Sequence, residues 1–375
     1  MRMKAAVFYG VREPLVVEEI ELDPPKAGEV LVKMVASGIC HSDVHRFTGD
    51  AATIVPIVLG HEGAGIVETV GEGVTKVKPG DHVVLTFLPS CGQCKWCHRG
   101  HPNMCDLGAG LTKGGMLDGT TRHHRASDGA DIFTFLYNST FGEYTVAAEA
   151  SLVPVPDYVP LERMCLLGCG FSTGFGTVTN KIHIRPGETI TIVGCGGLGL
   201  SAVQAARLSS AGKIIAVDIH EEKLEMARKF GATHTIKNTH DLPAIVEEIM
   251  EITWGVGTDF SVEYVGFDQT DETLAIAFQA LRKGGTMCMV GVGADDKRTL
   301  PFDPYTLTLW RKKVTGVMFG YAQFKTDIPR YVSLFEEGKI DLDGMVTREL
   351  ALEQINEGFQ AVLAGNQVAR QVIRY

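Results

Sequence analysis

The rhythm of apolar and polar positions changes near residue 187. Before it, apolar residues come in short runs broken by glycine and proline. Val30 to Val35 reads as a strand ended by Ser37-Gly38. Gly65 to Val70 and Asp81 to Phe87 read as further strands, separated by Gly71-Glu72-Gly73 and Pro79-Gly80. Such spacing suits a small, partly open β-barrel. A long polar segment follows from Gly108 to Ser139. Its basic cluster, Arg122-His-His-Arg125, is expected to be a solvated loop, with a second metal-binding role for its histidines as the alternative.

After Gly187 runs with period 2 alternate with runs of period 3.6. Thr189 to Val193 is an apolar, β-branched strand, followed by an amphipathic helix through about Ser209. Strand candidates Lys213–Asp218, Thr233–Ile236, Asp259–Tyr264 and Thr286–Val290 alternate with helix candidates Glu221–Phe230, Leu242–Ile252 and Glu272–Leu281. The pair Gly284-Gly285 reads as a break before the last strand. This alternation specifies a doubly wound parallel sheet with helices on both faces.

Composition narrows the class. The 375 residues are 45% hydrophobic and 21% charged, which excludes wholesale disorder and suggests two or three domains. The formal charge is −10 and no dense Lys/Arg block appears, so a nucleic-acid surface is not the leading reading. The uncharged stretch Thr189–Ala206 could pass for a membrane span, but it holds four glycines and is better explained as the strand, turn and helix above. With no apolar run at the amino terminus long enough for a signal peptide, the expectation is a cytoplasmic protein without a membrane partner.

Nine cysteines, an odd number, argue against a disulfide framework. Four are clustered as Cys91-x2-Cys94-x2-Cys97-x7-Cys105, in a loop containing Gly92, Gly100 and Pro102. Four thiolates can close a tetrahedral shell around one structural zinc. A four-cysteine iron–sulfur cluster or free thiols are the alternatives.

The turn after the strand Thr189–Val193 reads Gly194-x-Gly196-Gly197-Leu198-Gly199. A lone match to this pattern is weak. Here a strand precedes it, a helix follows, and an acid ends the next strand. Gly194 permits the tight turn, Gly196 lets backbone approach a pyrophosphate, and Gly199 lets helix and strand pack closely. The helix amino terminus offers N–H groups to the phosphates. Asp218, 19 residues after Gly199, can accept from the adenosine ribose hydroxyls. Its charge would repel a 2′-phosphate, so NAD is favoured over NADP. A glycine-rich corner without ligand is the bland alternative.

Three more metal-ligating residues stand out: Cys40 in Gly38-Ile-Cys-His-Ser-Asp-Val-His45, His61 in Gly60-His-Glu-Gly-Ala-Gly65, and Cys169 in Gly168-Cys-Gly-Phe-Ser-Thr-Gly174. Each alone could be an ordinary core residue, and spacing does not join them. Two thiolates and an imidazole would, however, leave one zinc position open for chemistry.

With these motifs the chain closely resembles the zinc-dependent alcohol dehydrogenases of the medium-chain dehydrogenase/reductase superfamily, across essentially its whole length. The resemblance implies a GroES-like catalytic domain over 1–170 and 318–375, with the zinc lobe at about 91–105. It implies a Rossmann NAD-binding domain over 171–317. It implies that Cys40, His61 and Cys169 bind the catalytic zinc and that Cys91, Cys94, Cys97 and Cys105 bind the structural one. Asp43 and Glu62 would orient and tune the site. Ser42 would take the alcohol proton, and His45 would pass it to solvent after the nicotinamide ribose. The positions His41, Thr173, Gly197, Leu198, Lys223, Val292, Phe319 and Arg370 would join the fingerprint around NAD, with Lys223 beside the adenosine ribose and Arg370 near the pyrophosphate. His41 stands where many relatives carry arginine.

Phe87, Phe135, Leu136, Val292 and Met318 would line a pocket suited to hydrophobic primary alcohols or aldehydes. Asp106 to Thr121 contains no arginine, which weighs against a glutathione adduct as substrate. Within the family, closer likeness is to the nicotinoprotein, or NDMA-dependent, enzymes. It rests on Leu-Asp-Gly-Thr at 117–120, Glu-Ile-Thr-Trp-Gly at 251–255, Asp-Ile-Pro-Arg at 327–330 and the Gln-Val-Ile-Arg-Tyr ending. That likeness implies retained NAD(H) recycled by an external electron carrier, and the family implies a homo-oligomer, dimer or tetramer. An ordinary NAD-exchanging aryl or terpenoid alcohol dehydrogenase, and a non-catalytic zinc- and nucleotide-binding scaffold, are the competing readings. The scaffold needs neither an open metal position nor a proton path.

Overall fold

The computed structural model describes residues 1–266, 271–292, 300–365 and 367–375. The chain divides into two units, one of Met1–Ser172 with Ala322–Tyr375, the other of Thr173–Tyr321.

The first unit is built from two sheets. Arg2–Phe8, Val16–Leu22, His123–Arg125, Asp131–Thr134 and Ile57–Val58 form a barrel that is closed rather than partly open. Closure comes from Ile57–Val58, which pairs antiparallel with Val7-Phe8 on one side and parallel with Phe133-Thr134 on the other. Glu29–Gly38 is the centre of the second sheet, with Glu62–Val70 and Arg370–Arg374 as antiparallel neighbours. Strands Glu62–Val70 and His82–Leu85 lie where short runs between glycines and prolines predicted them. Val30, Val32, Met34, Val67, Val83, Leu85, Ala147 and Leu152 make one core of this unit.

The Arg122–Arg125 cluster is not a solvated loop. His123–Arg125 is a barrel strand, paired with Ile20–Leu22 and with Asp131-Ile132. Arg122 is 1% exposed and holds Glu29 with two hydrogen bonds, Nε at 2.8 Å and Nη2 at 2.6 Å, while Asp118 accepts from Nη2 at 3.0 Å. A guanidinium tolerates burial because the carboxylate matches its fork. His124 faces Asp23 and Asp131 at 3.0 and 3.1 Å. His123 is fully buried, with Nδ1 3.4 Å from Thr134 Oγ1. Neither histidine joins a metal-ligand cluster among the described residues.

The second unit is a six-stranded parallel sheet. Its order is His234–Lys237, Lys213–Asp218, Thr189–Val193, Thr258–Glu263, Leu281–Met289, Lys313–Gly316. The first strand in sequence lies in the middle, so the chain winds outward to both edges, as in dinucleotide-binding sheets. Helices Gly197–Leu208, Glu221–Phe230, Leu242–Ile252 and Glu272–Gln279 connect the strands. Asp241 caps the third by accepting from Ala244 N at 3.1 Å. Val193, Ile215, Val217, Ile236, Ile245, Ile249, Leu274 and Phe278 fill one face. Gly284-Gly285 does not precede the strand but lies inside it, where the register slips between the pairs Thr258↔Leu281 and Phe260↔Thr286. The glycine pair absorbs that bulge. Thr189–Ala206 folds as strand, turn and helix, and no helix among the described residues is long and apolar enough to cross a membrane.

Burial first, then the charges of His124 and Arg122, push His123 down to about 4, so it is folded in its neutral form. An unfolded chain protonates it near its ordinary value of about 6.5, so stability falls as pH drops through that value toward about 4. Between pH 7 and 5.5 the expected loss from this residue is about 1 kcal/mol. Denaturant unfolding of the parent and of His123→Asn at both pH values checks it: the variant should lose less stability on acidification than the parent, by that amount.

Candidate active site

Strand pairing gathers the chemistry at one end of Glu29–Gly38. Gly38 pairs with Glu62 on one side and with Val372 on the other. Cys40 lies two residues beyond this strand, His61 precedes Glu62, and Arg370 opens the last strand. Gly63 pairs with Leu85, and a Cβ on Gly168 would lie 2.4 Å from Leu85 O, which brings the Cys169 segment against the same end. Residues 20 and 108 positions apart in sequence thereby meet.

Ligating atoms of Cys40, His61, Glu62 and Cys169 lie within 4.8 Å of one another, and all four residues are buried. Asp43, 0% exposed, organises two of them. Its Oδ2 accepts from Cys40 N at 3.1 Å, and its Oδ1 accepts from Gly60 N at 3.0 Å and faces His61 Nδ1 at 3.1 Å. The imidazole therefore points Nε2 into the cluster, where that buried atom has no protein partner. A buried nitrogen of this kind is what a metal would satisfy.

The electrostatics agree. Cys40 is pulled well below the usual thiol range, first by the hydrogen bond from Cys169, with Arg370 and His61 adding to it. Cys169 is pushed well up by that same bond and by burial. Burial alone would lower His61, but the Asp43 carboxylate outweighs it and holds the ring above its ordinary value. Thiolate, thiol and imidazole thus crowd one spot, and a divalent cation exchanges for their protons. The donor set of two sulfurs and one nitrogen suits zinc, with a fourth position for a substrate oxygen.

Glu62 and Arg370 form a buried pair, Oε1 to Nη2 at 3.3 Å, and Gly170 N donates to the same Oε1 at 3.1 Å. Burial pushes Glu62 up to about 7, against the opposing pull of Arg370. Arg370 was expected near a pyrophosphate. It is 3% exposed, and its contacts include Glu62 and Ile39 O, so its charge bears on the buried ligand cluster. Sequence reading missed this pair. Its signal lies in glycines: a Cβ on Gly38 would sit 2.4 Å from Glu62 Oε2, and one on Gly170 would sit 1.7 Å from Arg370 Nη2.

Ser42 Oγ lies 3.8 Å from Cys40 Sγ. His41 is exposed, and its ring centroid is 6.1 Å from that of the partly exposed His45. Phe87, Phe135 and Leu136 are buried, and both phenyl rings meet the His61 ring edge-on, at 5.9 and 5.7 Å. Leu136, Tyr137 and Ser139 all have positive φ, a conformation that costs roughly 1–3 kcal/mol each for such residues. The Ser139 hydroxyl, accepting from Phe135 N at 2.8 Å and donating to Val58 O at 2.6 Å, pins that turn and with it Phe135. Val292 and Met318 belong to the second unit and are 68% and 42% exposed there.

The lobe cysteines also converge. Sulfur separations are 3.6 Å for Cys94–Cys97, 3.9 Å for Cys94–Cys105 and 3.5 Å for Cys91–Cys105. A tetrahedron with Zn–S bonds of about 2.3 Å has edges of about 3.8 Å, so the cage fits zinc. Cys91 Sγ accepts from Gln93 N and Cys94 N at 3.4 and 3.3 Å, and Cys105 Sγ accepts from Cys91 N at 3.3 Å, which disperses thiolate charge.

In the second unit the fingerprint glycines each occupy a distinct setting. Gly194 has φ +90, the tight turn. A Cβ on Gly196 would meet nothing within 4 Å, which leaves room for a ligand. A Cβ on Gly199 would sit 1.9 Å from Gly194 O, so only glycine allows this packing. Gly197, Leu198 and Gly199 form the first turn of the helix Gly197–Leu208, and Gly174 packs against Leu198 O. Asp218 is 8% exposed; its Oδ2 accepts from Cys195 N at 2.7 Å and its Oδ1 from His220 N at 2.9 Å. It braces the turn while its oxygens keep lone pairs free to accept further hydrogen bonds. Lys223 is partly buried and lies close enough to Cys195 for its charge to oppose the burial and the Asp218 charge that push that thiol well up. Thr173 is buried, and Phe319 is 2% exposed, which leaves its backbone rather than its ring for contact.

A buried two-sulfur, one-nitrogen metal site, a four-sulfur cage and a dinucleotide turn on a doubly wound sheet define a zinc-binding dehydrogenase of the medium-chain class. Residues 26–157 match the family "Alcohol dehydrogenase GroES-like domain" and residues 197–337 match "Zinc-binding dehydrogenase". The chain is 41% identical over 368 residues to the NDMA-dependent alcohol dehydrogenase of Amycolatopsis methanolica, covering 98% of both. Two solved structures superpose on it: an alcohol dehydrogenase zinc-binding domain protein from Burkholderia ambifaria (TM-score 0.93, 36% identity, 100% of this chain and 99% of that one) and benzyl alcohol dehydrogenase from Acinetobacter calcoaceticus (TM-score 0.92, 34% identity, 100% and 99%). The chain belongs to the zinc-dependent alcohol dehydrogenases: it is an oxidoreductase of alcohols and aldehydes whose cofactors are zinc and NAD.

Two outcomes follow from this geometry. Cys169→Ala should abolish turnover, keep the fold and lower bound zinc from about two to about one per chain, measured by metal analysis; loss of all metal would show the two sites are coupled. Asp218→Gly should weaken NAD binding by about 1–3 kcal/mol, the range for a charged hydrogen bond, and the titration would show no change if Asp218 does not touch the ribose.

Proposed function

We propose that this enzyme interconverts hydrophobic primary alcohols and their aldehydes, aliphatic or aromatic, with NAD(H) retained between turnovers and regenerated by an external electron carrier. The observation that carries the chemical part is the buried meeting of Cys40, His61 and Cys169 with Asp43 behind the imidazole. Bound there, zinc would supply Lewis acidity toward the alcohol oxygen, and NAD on the Gly194–Gly199 turn would supply the hydride acceptor. Cys40 and Cys169 as thiolates and His61 through Nε2 would hold the metal. Cys91, Cys94, Cys97 and Cys105 would hold the second, structural ion.

Asp43 keeps the His61 proton on Nδ1 and so keeps Nε2 free to ligate. Glu62 and Arg370 set the charge behind the ligands. Ser42 Oγ accepts the alcohol proton, and His45 is the group that gives it to solvent. Phe87, Phe135 and Leu136 bind the apolar body of the substrate and exclude water from the reacting carbon, which favours apolar alcohols over polyols.

Retention of NAD(H) is supported by the likeness to the NDMA-dependent relative. His41, usually neutral near pH 7, offers the pyrophosphate less charge than an arginine would, so slow opening of the cofactor site would have to hold the dinucleotide. Assembly as a dimer or tetramer in the cytoplasm completes the reading.

The test is a mixing experiment: purified enzyme, benzyl alcohol and excess NAD, without carrier, followed by reduced-nicotinamide absorbance. The expected result is one burst of about one equivalent per chain, with continuous turnover only after a nitrosoaniline is added. Sustained turnover on NAD alone would overturn retention and leave a freely exchanging alcohol dehydrogenase.

A further inference from the structure

The helix His41–Thr48 ends at Gly49, whose φ of 85 is the left-handed cap that reverses the chain. A Cβ there would also lie 2.9 Å from Val11 Cγ1, so the reversal depends on glycine. Ala51 N then donates to His45 O at 3.1 Å, which folds residues 50 and 51 back along the helix. This return places the Asp50 carboxylate beside His45, with Oδ2 3.3 Å from Nδ1. The Thr48 hydroxyl donates to the same oxygen at 2.6 Å.

The protonation states follow from these contacts. The Thr48 hydroxyl first, then His45 and the charge of Arg12, hold Asp50 below the ordinary carboxylate range. An ionised carboxylate only accepts hydrogen bonds. His45 Nδ1 must therefore be the donor, and the neutral ring carries its lone pair on Nε2. We propose that Asp50 is the positioning residue of His45: its carboxylate fixes the Nδ1–H tautomer and ring orientation, so that the proton leaving the alcohol is received at Nε2. The imidazolium that forms keeps its Nδ1–H on Asp50 and releases the Nε2 proton to water. No bond other than N–H changes at either residue. The arrangement sits at the outer end of the proton path and rests on the relay role given above to Ser42 and His45.

Two further titratable or charged groups act near the pair: His41, whose ring centroid is 6.1 Å from that of His45, and Arg12, whose field acts on Asp50. Both are cationic when charged, so neither stabilises positive charge on the His45 ring. Asp50 is the one of these groups that favours the imidazolium. The pair is partly solvent-exposed, at 24% and 49% of the two side chains, so screening limits its effect.

The test uses the full-length zinc-loaded enzyme and the variants Asp50→Asn, Asp50→Ala, His45→Gln and His45→Gln/Asp50→Asn. Long-range proton–nitrogen spectra, assigned to His45 with His45→Gln, read the tautomer without reference to turnover. The expected signature is a protonated Nδ1 and an unprotonated Nε2 in the parent, with mixed tautomers in Asp50→Asn. For the pH profile of alcohol oxidation, removing the carboxylate should move the acid limb to lower pH, since a lost negative neighbour disfavours positive charge on the ring. Plateau kcat should fall roughly 3- to 10-fold, within what one acid–base element contributes. In the His45→Gln background the Asp50→Asn change should have no further effect.

An Nε2–H tautomer in the parent, or an Asp50→Asn profile superimposable on the parent's, would overturn the assignment of Asp50. A His45→Gln profile unchanged from the parent's would overturn the relay itself and the kinetic role of Asp50 with it; the tautomer measurement separates the two failures. A shift that persists in the His45→Gln background would also overturn it, because Asp50 would then act through something other than His45. Unchanged zinc content and circular dichroism in Asp50→Ala are expected, because Asp50 lies outside the metal machinery; loss of either would make its role structural and overturn the proposal.

Discussion

One buried carboxylate holds the catalytic end of the first unit together. Asp43 has no exposed surface, and an isolated charge so placed would cost several kcal/mol. It is tolerated because three donors from two separate segments converge on it: the Cys40 and Gly60 amides and the His61 ring. The same contacts place a sulfur ligand and a nitrogen ligand in fixed relation before any metal binds. Preorganisation of this kind is what separates a catalytic metal site from a chance gathering of cysteines. It also sets the histidine tautomer, which no spacing rule could supply.

Around that carboxylate, charge is arranged in alternating layers. Cys40 and Glu62 bring negative charge, while Arg370 brings positive charge. A buried arginine beside a buried glutamate is a poor source of stability in itself. Here it keeps a carboxylate near the metal without letting negative charge accumulate unopposed. Space for the pair comes from the absence of side chains at Gly38 and Gly170, since a single added carbon at either would overlap it. These glycines are required by volume and not by backbone angle, for neither has a positive φ.

Legibility in the sequence followed locality. In the second unit, strands buried on both faces read as apolar runs, and Thr189–Val193 and Leu242–Ile252 coincide with their expected bounds. The fingerprint was legible because turn, approach and packing each act within a few residues. The first unit was less legible where contacts cross long distances in sequence. Arg122 and His123 look like solvent-facing residues until Glu29, 93 positions from Arg122, and the barrel strands around them are known. The pairing of Arg370 with Glu62 was hidden for the same reason: the two are remote in sequence. Asp50 was missed for another reason. It is an exposed acid after a helix, the most ordinary of settings, and only the reversal at Gly49 aims it at His45.

The metal-ligand motifs lie between these extremes. Gly-His-Glu-Gly-Ala-Gly and Gly-Cys-Gly-Phe-Ser-Thr-Gly are local strings, but their meaning depends on sheet register. A one-residue slip between Glu29–Gly38 and Glu62–Val70 would send His61 and Glu62 to opposite faces from those they occupy. Register here is held by the apolar faces of both strands and by two irregularities, between Leu31 and Val32 and between Met34 and Ala36. Gly65 makes the pairing close enough, since a Cβ there would lie 2.3 Å from Lys33 O. The last glycine of the histidine motif thus serves the sheet, while the histidine faces the buried sulfur cluster. The motif reads as one string because the same strand end must satisfy packing and chemistry together.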